Sequence, residues 1–390
     1  MAVVPVEKIV RYILMEAIKR RASDIFVEPL EDKLQVRLRI DGLLTQFRSF
    51  PLNFHPSIIS RLKIISNLDI SEHRLPQDGR FKLKLPNKEV DFRLSIMPSR
   101  LGEKAVSRVL DKSGLILDID KLGLDSSCLE LLKENLASAY GIILVCGPTG
   151  CGKTTTLYAC LKYIDSIEKN IITVEDPIEY QMRGINQVEV NEEIGFTFTN
   201  VLRSILRQDP NIILVGEMRD SETAEIAIRA ALTGHLVLST LHTTTATGAL
   251  TRLINMGIEP FLLGSSCLLV ASQVLIRLLC PECKEEYKLS APILEEIGRC
   301  GLDFKEVSSA YRVKGCHSCN DTGYIGRTVV MEALPLTPAI KDLIEHNASE
   351  IEVRKKARSE GMFTLRHNAL ELALKGLTSI EEVVRLTSTD

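Results

Sequence analysis

The sequence predicts an α/β fold preceded by a smaller α+β domain, and three observations carry that prediction. From residue 129 onward, short apolar runs at 142–146, 171–175, 212–215 and 236–240 alternate with helical stretches, the pattern of a parallel sheet. The first of these runs leads directly into Gly147, Pro148, Thr149, Gly150, Cys151, Gly152, Lys153, Thr154 and Thr155, a glycine-rich bend that opens a helix over 155–167. Before residue 110 the pattern differs, with a helical period followed by segments that alternate apolar and polar.

Taken in order, Val6, Ile9, Val10, Ile13, Leu14 and Ala17 share one helical face, so 6–20 is an amphipathic helix. Leu34, Val36, Leu38 and Ile40 alternate with Gln35, Arg37 and Arg39, and Asp41-Gly42 supplies a tight turn to Leu43 and Leu44, which makes a β-hairpin. Residues 58–68 read as helix, Gln77-Asp78-Gly79 as a second turn, and 80–85 and 90–97 as two further strands. This N-terminal domain spans 1–110, and 111–128 is a linker in which Gly114 and Gly123 permit bending. The α/β domain occupies 129–279. Its last part, 261–279, is apolar enough to raise a transmembrane span, but Gln273, Arg277 and three serines mark it as a helix buried in a protein core. A cysteine-bearing insert covers 280–334, and 335–390 is charged and helical.

Composition narrows the function. A hydrophobic content of 45% and a charged content of 25% are those of an ordinary soluble chain of two or three domains. A net charge of −3, without a basic tract interleaved with aromatics, argues against nucleic acid as the default partner. The N-terminus carries no signal-peptide pattern, so the cytoplasm is expected, with any membrane contact indirect.

The glycines at 147, 150 and 152 let successive backbone N–H groups turn inward at a helix N-terminus, where phosphate oxygens bind. Lys153 reaches the β and γ phosphates and the Thr154 hydroxyl takes one position on Mg²⁺. Carboxylates at the ends of later strands decide whether hydrolysis follows. Glu175, with Glu179 behind it, is placed to orient or deprotonate the attacking water, and Glu217 to hold Mg²⁺, although the residues leave their division of roles open. His242 and His235 flank the strand 236–240, either as donors to the γ-phosphate or as structural histidines. Arg80, Arg93, Arg108, Arg203, Arg207 and Arg219 are candidates for cationic stabilisation of the transition state, worth roughly 10³ to 10⁵ in rate where an arginine finger operates.

Cys280 and Cys283, and Cys316 and Cys319, form two C-x-x-C pairs, the arrangement of a closed, structural four-thiolate Zn²⁺ site. Cys128, Cys146, Cys160, Cys267 and Cys300 have mostly apolar neighbours and read as core residues. Cys151 is different, because a helix N-terminus is expected to lower its thiol pKa.

Taken together these stretches resemble the ATPases of type II secretion and type IV pilus assembly, the GspE-like and PilB-like motors. The likeness runs through Ala22-Ser23-Asp24-Ile25, Arg39-Ile40-Asp41-Gly42, Leu75-Pro76-Gln77-Asp78-Gly79-Arg80, the phosphate loop, Glu175-Asp176-Pro177, Val215-Gly216-Glu217-Met218-Arg219-Asp220 and the segment from Gly234-His235 to His242-Thr243. The resemblance implies a RecA-like P-loop ATPase domain that hydrolyses ATP, a homohexamer, and Arg80 and Arg93 reaching nucleotide across a domain or subunit boundary. It also implies zinc in the four-cysteine insert and inner-membrane platform partners of the GspF/GspL or PilC kind. Phe26 stands where relatives carry His, and Cys151 where Ser is common. The likeness begins at the family's second N-terminal domain, so docking through the first is not expected of this chain. The competing readings are a DNA-translocating ATPase and an ATP-binding scaffold of low turnover.

Overall fold

The computed structural model describes residues 5–111, 116–302 and 309–387. Two compact units divide the chain, 1–115 and 116–390.

The first unit runs α1 (Val6–Lys19), β1 (Ala22–Pro29), β2 (Lys33–Ile40), β3 (Leu43–Pro51), α2 (His55–Ile65), β4 (Gln77–Lys84), β5 (Glu89–Ser99) and β6 (Gly102–Leu110). The strands form a six-stranded antiparallel sheet in the order β3-β2-β1-β6-β5-β4. Both helices pack on one face, where Ile9, Val10, Ile13, Ile58 and Leu62 meet Ile25, Val27, Leu38, Phe92 and Leu94. Alternation along the strands sends Arg37, Arg39, Arg80, Arg93 and Arg108 to the opposite face. Asp41 and Gly42 turn the β2–β3 hairpin at φ +47° and +86°, the left-handed pair that such a turn demands.

Two sequence expectations change here. Residues 22–29 matched no element by pattern, yet β1 is central, because a bulge near Ala22 and Asp24 and the closing proline blur its alternation. Gln77-Asp78-Gly79 is not a turn but the start of β4, with Gly79 opposite Leu94. The glycine serves a close approach, since a Cβ there would lie 2.9 Å from the Ser66 carbonyl oxygen.

The second unit continues with α3 (Ser126–Leu136), β7 (Gly141–Cys146), α4 (Lys153–Ile164), β8 (Ile171–Glu175), β9 (Asn186–Glu189), α5 (Phe198–Ile205), β10 (Ile212–Val215), α6 (Ser221–Leu232), β11 (Leu236–Leu241), α7 (Ala246–Asn255), α8 (Pro260–Ser266) and β12 (Cys267–Leu279). It closes with β13 (Glu285–Lys288), α9 (Ala291–Arg299), β14 (Ser309–Arg312), β15 (Tyr324–Pro335), α10 (Pro338–Glu345), α11 (Glu350–Ser359), α12 (Leu365–Leu374) and α13 (Ile380–Leu386). The sheet order is β15-β12-β7-β11-β10-β8-β9, parallel from β12 to β9 with β15 antiparallel at one edge. One face packs on α5 to α8, α10 and α11 through residues such as Val174, Ile213, Ile228, Leu250 and Ile340. Val274, Ile276 and Val330 instead meet α9, α12 and α13.

The expected helix over 261–279 is a correction. Only 260–266 is helical, and 267–279 is β12, buried between β7 and β15. An unbroken apolar run fits a strand covered on both faces as well as a buried helix, and only the neighbouring strands decide. Among the described residues no helix is long and apolar enough to cross a membrane. α3 begins inside the stretch read as linker because Asp125 caps it, accepting the Cys128 N–H at 3.0 Å. The strand after the second cysteine pair, β15, belongs to the main sheet.

Candidate nucleotide site and cysteine cluster

The buried strand β7 ends at Cys146, and Gly147, Gly150 and Gly152 follow at φ +145°, +80° and +89°. Such angles exclude most side chains, and α4 starts at once with Lys153. Pro148, Thr149 and Gly150 form the exposed tip, Thr154 is exposed and Thr155 half-buried on the first turn. Lys153 Nζ donates to the carbonyl oxygens of Gly147 at 2.7 Å and Pro148 at 3.2 Å, and lies 3.5 Å from His242 Nδ1. Burial lowers the pKa of this amine, and the two neutral loop carbonyls hold its N–H groups until an anion is offered. The residues fit a phosphate: an ammonium, a hydroxyl and a helix N-terminus converge on an open bend.

Gln273 was missed as a functional residue. Fully buried on β12, it donates through Nε2 to Cys151 O at 2.7 Å and accepts the Thr156 hydroxyl at 2.8 Å. A Cβ on Gly147 would come within 2.3 Å of the Gln273 carbonyl oxygen. The available signal was one amide inside an apolar run. Cys151 itself is corrected, since it is buried and desolvation raises its thiol pKa despite the helix N-terminus and the nearby Lys153.

The carboxyl ends of β8, β10 and β11 deliver the remaining groups. Glu175, 3% exposed, accepts hydrogen bonds from the Tyr158 hydroxyl, from Thr173 Oγ1 at 2.5 Å and from Gln187 Nε2 at 3.1 Å. Burial, with Glu175 beside it, pushes the Tyr158 phenol far up, so Tyr158 remains a donor. Glu217 pairs with Arg219, and His242 Nε2 donates to its Oε2 at 3.1 Å. Although burial acts to raise it, Arg219 and His242 hold the Glu217 carboxyl below the usual range. Arg219 also lies 3.6 Å from Asp176. Lys153, His242, Glu217, Arg219 and Asp176 thus form one polar chain across the strand ends. His235 sits at the other end of β11, its Nδ1 2.9 Å from Ala230 O, and closes α6 structurally.

Arg80 and Arg93 belong to the N-terminal unit. They face each other across β4 and β5, with Arg93 opposite Arg108 in turn, and all three line an open cleft of about 490 Å³ with Asp24 and Asp78. Arg108 holds Asp24 at 3.3 Å. Arg203 pairs with Glu222 at 2.6 Å, and Arg207, in the turn after α5, donates to the carbonyl of Arg203.

The four cysteines meet as the spacing predicted. All their sulfurs lie within 4.8 Å of one another, with Cys280–Cys316 and Cys283–Cys319 at 3.8 Å and Cys316–Cys319 at 3.7 Å. Four thiolates about 2.3 Å from a tetrahedral Zn²⁺ would stand about 3.8 Å apart, so the cluster fits that ion. The backbone N–H groups of Cys316 and Gly323 each donate to Cys319 Sγ at 3.2 Å and favour its thiolate. Cys128, Cys146, Cys160, Cys267 and Cys300 are buried, as expected of core residues.

A model of the family described as type II/IV secretion system protein matches residues 2–385. The chain belongs to this family. It is 50% identical over 388 residues to the type IV pilus assembly ATPase PilB of Myxococcus xanthus, covering 99% of this chain and 68% of that protein. It is 46% identical to the type II secretion system protein E of Pseudomonas aeruginosa, covering 98% of this chain and 76% of the relative. Among solved structures, the pilus retraction motor PilT with bound ADP aligns with a TM-score of 0.62 at 28% identity, over 97% of this chain and 96% of its own. The ATPase DotB of Legionella pneumophila, at 18% identity and a TM-score of 0.70 over 96% and 94%, supports the fold. The α/β architecture with its parallel-sheet ATPase core is therefore that of the family.

Proposed function

We propose that this secretion-family ATPase hydrolyses ATP to drive type II protein secretion or type IV pilus assembly, as a homohexameric cytoplasmic motor peripheral to the inner membrane. The observation that carries this reading is the polar chain from Lys153 through His242 to Glu217 at one end of the parallel sheet, where α/β folds bind ligands. Residues 147–155 would hold the ATP phosphates, and Thr154 with Glu217 would hold Mg²⁺, which neutralises phosphate charge. Lys153 leaves the Gly147 and Pro148 carbonyls for the incoming anion. His242, released from Lys153, turns its freed Nδ1 edge to the γ-phosphate, to which it donates when that nitrogen also carries a proton, while Glu217 keeps its ring oriented through Nε2. Glu175 positions the attacking water once its Tyr158 and Gln187 bonds loosen, and Arg80 and Arg93 supply the transition-state charge. Zn²⁺ on Cys280, Cys283, Cys316 and Cys319 is structural. The domain limits proposed are 1–110, 111–128, 129–279, 280–334 and 335–390, with α3 and β15 crossing these limits to join the second unit, and partners among inner-membrane platform proteins of the GspF/GspL or PilC kind.

The test is steady-state ATP turnover of the wild type, Lys153→Ala, Glu217→Gln and Arg80→Ala, with oligomer mass recorded on each sample. Losses of at least about 100-fold are expected for Lys153→Ala and Glu217→Gln, the scale of removing a group aimed at developing charge. Turnover indifferent to both would overturn the assignment, and stimulation by DNA would transfer the motor to a nucleic-acid substrate.

A further inference from the structure

The loop that carries His242 is held from behind by two carboxylates that the proposed reaction does not use. Glu350, the first residue of α11, accepts the hydroxyls of Thr245 at 3.0 Å and Thr247 at 2.9 Å on the same oxygen, Oε1. Thr245 is also the N-cap of α7, accepting the Gly248 N–H at 3.0 Å. Position 248 has no room for more than glycine, since a Cβ there would lie 2.6 Å from Thr245 Oγ1 and 3.4 Å from Glu350 Oε1. Glu332, 1% exposed on β15, accepts the N–H of Ala246 at 2.7 Å with one oxygen and that of Leu365 at 3.1 Å with the other. One buried carboxylate therefore caps two helices, α7 beside the nucleotide site and α12 in the C-terminal region. A third tie comes from β12, where the Ser272 hydroxyl donates to Thr244 O at 3.0 Å.

We infer that Glu350 and Glu332 are positioning residues for hydrolysis: they clamp the segment 244–248 so that His242 stays between Lys153 and Glu217, and they couple that imidazole to α11 and α12. The clamp is anisotropic. Its two carboxylates tie the loop to the C-terminal helices, while the phosphate-cradling bend at 147–154 keeps its own support from Gln273 and meets the loop through Cys146 Sγ, 3.6 Å from Thr245 O, and through Lys153. Loss of the clamp therefore acts on turnover and spares nucleotide capture. The coupling also runs in reverse, because a load that shifts α11 moves Glu350, and one that shifts α12 pulls on the Leu365 N–H bond to Glu332. This inference rests on the reading of His242 as a hydrolytic residue, and the test separates the two.

Full-length Glu350→Ala, Glu350→Gln, His242→Ala and the Glu350→Ala/His242→Ala pair are compared for kcat, KM for MgATP and thermal midpoint. Amide exchange is followed by mass spectrometry in the peptide covering 242–250. Glu350→Ala should lower kcat about tenfold with KM within about threefold, the effect of about 1.4 kcal/mol felt only in the transition state. Glu350→Gln, which keeps an acceptor oxygen, should recover most of the rate, and Glu350→Ala should add nothing to His242→Ala. Faster exchange in the 242–250 peptide is expected in Glu350→Ala. Unchanged exchange there, or additive losses in the pair, overturns the inference. Faster exchange together with a fully active His242→Ala overturns the catalytic reading of His242 and leaves the clamp standing. Should Glu350→Ala fold poorly, Thr247→Val removes one donor from the same oxygen and carries the same expectations.

Discussion

At the scale of single residues, charge in this molecule is held by geometry. Glu382 is buried and takes hydrogen bonds from Arg277 at 2.7 and 2.9 Å and from Arg385 at 2.6 and 2.7 Å. Desolvation works to raise its pKa, but the two guanidiniums hold it at about 2, below its ordinary 4.5. Because the folded value is depressed, the stabilisation is complete above the ordinary value and is lost as pH falls towards 2. Urea titrations should find the wild type losing about 2 kcal/mol more than Glu382→Gln between pH 7 and the foot of that window, with Glu382→Gln already weaker at pH 7. An equal acid slope in both proteins would mean the guanidiniums do not hold this carboxylate. Glu217 obeys the same sign in the nucleotide site, where Arg219 and His242 keep it ionised. Its acidity was only half legible in the sequence, because Arg219 follows two residues later while His242 comes from the end of another strand, β11.

At the scale of elements, the phosphate loop is built by two strands. β7 leads into it, while β12 supplies Gln273 beneath it. Gln273→Leu leaves the Thr156 hydroxyl and the Cys151 carbonyl without their buried partner, at a cost of about 1–3 kcal/mol. Calorimetric melting should register that loss, and the KM for ATP should rise because the loop is no longer braced. A variant with unaltered KM would confine Gln273 to the core. The cysteine pairs act at the same scale, tying the end of β12 to the start of β15. Native mass spectrometry should find one Zn²⁺ per chain, absent in Cys283→Ser. Chelation should expose 280–324 to protease, since structural zinc contributes about 10–16 kcal/mol in small peptides and exceeds the cost of closing the loop. A metal-free protein that resists protease equally would remove the site. The C-x-x-C spacing was sufficient to find this cluster, because each pair brings its own sulfurs together and only the meeting of the pairs needed the sheet.

For the whole molecule, the arginine ladder of the N-terminal unit and the nucleotide loop of the second unit are separate constructions. Arg80 and Arg93 occupy opposite positions on β4 and β5, so removing either leaves the other beside the same cleft. Arg80→Ala should lower ATP turnover at least tenfold while nucleotide binding, measured by calorimetry, stays within about threefold, as expected of a charge used in the transition state. Light scattering with a non-hydrolysable ATP analogue should give the same oligomer mass as wild type. A variant that binds ATP far more weakly would turn Arg80 into a ground-state contact, and one with wild-type turnover would remove it from the reaction.

Local chemistry determined what the sequence alone could determine. Strand periods, the Asp41-Gly42 turn, the bend at 147–154 and the paired cysteines depend on neighbours within a few residues, so their signals survive in one dimension. Tertiary structure decided the rest. Whether 267–279 is helix or strand, whether Gly79 turns the chain or admits Ser66, whether the Cys151 thiol is acidified or desolvated, and which groups surround His242 all depend on residues from about a dozen to more than 100 positions away. The physical reason is that burial and electrostatic partnership are properties of a packed volume, to which a contiguous stretch of chain contributes only one wall.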